Sequence, residues 1–129
     1  MILGFVKTFR NAKGQTRPTN FEEKIKKGIK LHTIRWDEHK RWKAGMKIHF
    51  ATGVRSSMYN NFKMGVCKGV QEIEIFDRVV VIDGRELVHH EIEELAINDG
   101  FDNVEDFWAW FDQYNPFMGR LIHWSDLRY

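Results

Sequence analysis

The chain has 129 residues, 43% hydrophobic and 29% charged, which suits one globular domain with one core over residues 1–129. Its longest aliphatic run is only Val79 to Ile82, and Lys7 interrupts the opening MILGFV, so neither a membrane span nor a secretory leader is expected and the location expected is cytoplasmic. The net charge of +2 hides a division: residues 1–70 carry 16 Lys and Arg against 4 Asp and Glu, and residues 71–129 carry 4 against 14.

In chain order, ILGFVK reads as a first strand and NAKGQTRPT as a loop, by its glycine, proline and polar content. Thr19 and Glu22 have capping-box spacing, which predicts a short helix from Asn20 to Lys27 that stops at Gly28. Next comes KKGIKLHTIRW, a short strand built on Leu31 and Ile34 but crowded with polar groups. WDEHKRWKAG is a polar turn region, MKIHFA a strand, and GVRSSMYNNFKM, residues 53–64, a loop rich in Ser, Asn, Arg and Tyr. VCKGVQEIEIF and RVVVID read as strands, followed by a turn at Asp83 and Gly84.

The last third is more helical. Ile92, Leu95 and Ala96 fall at i, i+3 and i+4, with Gly100 placed to end the helix. Val104, Phe107, Trp108 and Phe111 repeat the pattern behind a capping signal at Asp102 and Glu105. At helical spacing, this aromatic stripe reads as core rather than as a base-stacking surface. RLIHW, Arg120 to Trp124, reads as a closing strand.

The sum is an α+β domain: about five or six short strands with two or three short helices, arranged as a small barrel plugged by helices. A single cysteine, Cys67, excludes an internal disulfide and a cysteine-rich zinc site, and reads as a small buried hydrophobe. No His-x-x-x-His pair lies on a helix, so no metal is expected, and no phosphate-cradling glycine loop or other cofactor motif is present. The helix from Asn20 to Lys27 offers only Phe21 and Ile25 as apolar anchors, so membrane-surface binding is set aside. The basic first part favours a phosphate-bearing partner, because clustered Lys and Arg release counterions from a nucleic-acid backbone. The competing reading is mutual neutralisation of the two parts on one surface.

GIKLHTIR matches Gly-x-Lys-x-x-Thr-x-Arg, and WKAGMKIHF, LAINDGFDNVEDFWAWF and LIHW follow in order. In these segments, from about Phe21 to Trp124, the chain resembles the ASCH domain, a branch of the PUA-like superfamily. The resemblance implies a PUA-like β-barrel with a cleft lined by the signature. It also implies RNA or other nucleic-acid binding, or hydrolysis of the amide of N4-acetylcytidine as in some small members. It places Lys30 and Thr33 on the lysine and threonine that those hydrolases use, and Arg35 on the signature arginine.

Strand alternation puts Leu31, Thr33 and Arg35 on one face and Lys30, His32, Ile34 and Trp36 on the other. Arg35 offers a planar fork of donors, Thr33 a hydroxyl and Lys30 a mobile positive charge. The expected ligand is RNA or single-stranded nucleic acid, or a modified nucleoside, met by Lys26, Lys27, Lys30, His32, Thr33, Arg35, Arg55, Tyr59 and Lys63. The alternative is an amidohydrolase using Lys30, Thr33 and a glutamate, Glu72. If Ile73 and Ile75 face inward, then so does Gln71, which cannot act as a base, while Glu72 and Glu74 point out. A bulge near Gly69 is needed to bring Glu72 inside.

Overall fold

Residues close to the N-terminus pair with a strand more than forty residues away. In the computed structural model, which describes residues 1–129, β1 (Ile2–Phe5) runs parallel to β5 (Lys47–Thr52), with Leu3 opposite Phe50. β6 (Asn60–Val66) adds an antiparallel edge to this three-stranded sheet, with a register shift between Phe50 and Ala51. A second sheet has five strands in the order β4 (His32–Arg35), β10 (Phe117–His123), β7 (Gly69–Phe76), β8 (Val79–Ile82) and β9 (Arg85–Glu86). A hairpin of β2 (Thr8–Arg10) and β3 (Thr16–Pro18) forms the third. With α1 (Phe21–Lys26), α2 (His89–Asn98) and α3 (Val104–Phe111), the fold is α+β. The hydrogen-bonded sheets are separate and none closes on itself. No helix is long and apolar enough to cross a membrane.

There are ten strands rather than five or six. The stretch read as a loop at Asn11 to Thr19 holds β3, because Asn11 Oδ1 accepts from the backbone N–H of Lys13 and Gln15 and closes a tight turn. Phe9 then pins the hairpin against Phe101 and Trp110. The loop read over residues 53–64 ends at Tyr59. β6 escaped detection because it is an edge strand with little buried side chain, so its sequence has no apolar alternation. The final strand starts at Phe117, three residues before Arg120.

Both capping boxes read from the sequence are absent at those positions. Thr19 Oγ1 donates instead to Val6 O, and Asn20 caps α1 in a left-handed conformation without a side-chain bond. Asn103, not Asp102, caps α3 by accepting from Asp106 N. The Asp83–Gly84 turn holds, with both residues at positive φ, as a two-residue hairpin requires. Cys67 is buried in one core that joins both larger sheets and all three helices.

Candidate functional site

The signature segment enters the core at the end of α1. Gly28 takes a positive φ, and the Lys24 carbonyl accepts from both Ile29 N and Lys30 N, which turns the chain back beneath the helix. Lys30 therefore precedes β4 and is not bound by its alternation. Its side chain is 1% exposed and shares a cavity of about 180 Å³ with Thr33 and Arg35. Thr33 and Arg35 share a face as strand alternation predicts, and Lys30 joins them rather than lying opposite. Phe5, Phe21, Phe101, Trp110, Phe111 and Phe117 wall the cavity, with Trp36 and Tyr114 at its exposed rim. Of the α3 aromatic stripe, Phe111 thus lines the cavity as well as packing in the core.

Asp99 is the one acidic residue among those that line this cavity. Lys30 Nζ donates to the Asp99 main-chain oxygen and lies 3.6 Å from its Oδ1. The ammonium also lies 4.4 Å from the centre of the Phe21 ring. Burial pushes Lys30 down to about 8; Asp99 opposes that shift, while Arg35 and Lys24 add to it. Arg35 donates through Nε to Thr33 Oγ1 at 3.2 Å and through Nη2 to Gly4 O, with its guanidinium 5.0 Å from the Phe5 ring centre. Burial lowers it to about 10, so it stays cationic at neutral pH. The Thr33 hydroxyl, an acceptor toward Arg35, keeps its own proton for another partner.

Several expected contacts fall elsewhere. His32 leaves the opposite face of β4, is fully buried, and meets Asp99 and Tyr129, so it cannot touch a polymer at the surface. Lys26 and Lys27 are exposed but paired with Glu22 and Glu23 on their own helix. Arg55 and Tyr59 lie exposed in the loop after β5 and Lys63 is exposed on β6; a shallow groove sharing Gly4, Phe5 and Val6 with the cavity reaches that loop at Gly53, Val54 and Met58. Glu72 lies outside the cavity, where it accepts from Arg120 Nε at 3.2 Å. No bulge interrupts β7 near Gly69: its pairing with β10 runs unbroken from Gly69 to Ile75, so Gln71 faces in and Glu72 out.

Asp99 escaped the sequence reading. Its only signal is an acidic residue at the helix end just before Gly100. There the positive φ and the missing Cβ let the α2–α3 joint approach: a methyl group would lie 2.9 Å from Lys30 Cδ. No group of three or more His, Cys, Asp or Glu side chains is placed to hold a metal. No protein-family model, no curated protein and no solved structure matches the chain.

Proposed function

We propose that the chain is an ASCH-type, PUA-like domain that takes one base or modified nucleoside, presented by RNA or another single-stranded nucleic acid, into the cavity at Lys30. The carrying observation is that Lys30, Thr33 and Arg35 meet Asp99 in one small aromatic-walled cavity. A space of ~150 Å³ suffices for a benzene-sized ring, so about 180 Å³ suits a single base and not a polymer. Lys30 and Thr33 donate hydrogen bonds, Asp99 accepts them, and the rings stack. A planar amide-like edge with acceptors beside an amino group, as in cytosine, meets that set. Packing of the three- and five-stranded sheets over one core supports a barrel of the PUA kind. Exposed cations without carboxylate partners, Lys7 beside the groove and Arg55 beyond it, suit the flanking phosphates.

Hydrolysis of an acylated nucleoside such as N4-acetylcytidine is the second reading, favoured by the buried Lys30 amine near 8 in the same cavity as Thr33. Thr33 Oγ1 attacks the acetyl carbonyl as neutral Lys30 takes its proton and passes it to the N4 amine that leaves when the C–N bond breaks. Water then cleaves the acyl-threonine to acetate, and Asp99 takes the place expected of Glu72. It ranks second because Thr33 Oγ1 accepts from Arg35 and makes no hydrogen bond to Lys30. The deciding experiment titrates cytidine, N4-acetylcytidine and short RNA and DNA against tryptophan fluorescence, with chromatography of the products. Binding of single strands without turnover is expected. Deacetylation abolished by Thr33→Val reverses the ranking, and failure of every ligand to bind rejects both readings.

A further inference from the structure

Behind the cavity lies a chain of hydrogen bonds that ends on Asp99, and neither reading uses its other members, Asn98, Tyr129 and His32. Asn98 Nδ2 donates to Tyr129 Oη at 3.1 Å, and Tyr129 Oη lies 2.7 Å from His32 Nε2. His32 Nδ1 lies 3.0 Å from Asp99 Oδ1. An amide nitrogen can only donate, so the Tyr129 proton goes to His32 Nε2. The imidazole then carries its proton on Nδ1 and gives it to Asp99. Burial holds His32 neutral, which fits one proton on the ring. Every donor thus points toward the same carboxylate oxygen.

That oxygen is contested. It is hydrogen-bonded to His32 at 3.0 Å and stands 3.6 Å from Lys30 Nζ, beyond a good hydrogen bond. Tyr129 is clamped in turn by Gln71, the inward residue of β7: Gln71 Nε2 donates to Tyr129 O at 2.8 Å, and Gln71 Oε1 accepts from Tyr129 N at 3.0 Å.

We propose that Tyr129 and His32 are positioning residues, whose hydrogen-bond chain holds the Asp99 carboxylate off the Lys30 amine and leaves that amine to a ligand instead of a closed ion pair. The inference rests on the cavity being the functional site, and not on which ligand enters it. Without the His32 N–H, the nearest cation to Asp99 is Lys30, and in a buried setting the two close to direct contact. The other charged groups facing these residues are the same in the parent and the variants: Arg35 and Lys24 face Lys30, His123 lies 5.3 Å ring to ring from His32, Arg128 faces His123, and Glu94 faces Tyr129.

The test follows the Lys30 amine by NMR of lysine labelled at Cε and Nζ, its signal assigned by loss in Lys30→Met. The parent midpoint is expected near 8. His32→Leu raises it by about one unit or more, because an undivided carboxylate favours the ammonium. His32→Asn, whose amide N–H takes the place of Nδ1–H, restores the parent value, a rescue that a purely structural role does not give. Tyr129→Phe, which removes one oxygen, shifts the midpoint the same way by less and serves alone if His32→Leu does not fold. An unmoved or lowered midpoint in folded variants, or a parent midpoint near 10.5, overturns the proposal. Failure of the parent to bind any nucleobase, with the midpoints moving as stated, rejects the ligand reading and leaves the relay standing.

Discussion

Lys30 Nζ donates to the main-chain oxygen of Asp99 yet stands 3.6 Å from its carboxylate, so the buried cation has a counter-charge without a full ion pair. Burial lowers its midpoint to about 8, and a charge held this way is costly to bury.

Stability should therefore respond to alkaline pH. The folded-state value of Lys30, about 8, lies below its ordinary 10.5, so the folded state binds fewer protons and stability rises as pH climbs from 8. The gain is at most about 1.4 kcal/mol per unit. Burial raises Cys67 above 9.0, which opposes the trend from there upward, so the window is pH 8 to 9. Urea unfolding at these pH values reads the slope, and Lys30→Met is expected to abolish it.

Acid acts through the opposite end of the network. His123 pairs across the strands with His32, its buried Nδ1 has no partner, and burial pushes it down to about 3. The unfolded chain takes up this proton below about 6.5 and the folded one does not, so stability falls as pH drops from 6.5 toward 3. A loss already measurable at pH 5.5 and reduced in His123→Gln is the expected result. A flat profile down to pH 5 contradicts it.

Gly100→Ala should cost more than an ordinary glycine replacement. The new methyl meets Lys30 Cδ and Phe21 Cε1, both at 2.9 Å, on a backbone with positive φ. A loss of about 1–3 kcal/mol from crowding adds to the backbone penalty. Gly14→Ala, also at positive φ but with nothing within 4 Å, isolates the backbone share. Chemical denaturation of both variants gives the comparison.

Trp36 is 59% exposed at the cavity rim and leans on Phe117, with ring centres 4.6 Å apart. Trp36→Ala should leave the melting temperature nearly unchanged and weaken single-strand binding by about 1–3 kcal/mol, the worth of one stacked base. Equal affinity for the parent and the variant removes Trp36 from the site.

The salt dependence of binding distinguishes free cations from paired ones. Lys26 and Lys27 already face Glu22 and Glu23, so replacing both with Gln should hardly alter the slope of log affinity against log salt. Lys7→Gln and Arg55→Gln should each lower it by about 0.7 if they neutralise a phosphate.

The chain's local chemistry determined a good part of this by itself. The 3.6-residue periodicity located α2 and α3, and glycine marked the ends of α1 and α2, because these signals depend on neighbours in sequence. Strand parity put Thr33 beside Arg35 and turned Gln71 inward and Glu72 outward. Edge strands were lost, since a strand that buries little carries little pattern. Tertiary structure alone completed the candidate site. Lys30 sits before the strand, where alternation has no hold, and its partner Asp99 lies 69 residues away at a helix end that only chain folding brings close. Burial then changed the meaning of residues whose types were plain from the start. Lysine became a desolvated amine, His32 a neutral link in a relay, and Gln71 the clamp on Tyr129, because a side chain's chemistry is set by the water it loses and the partners that replace it.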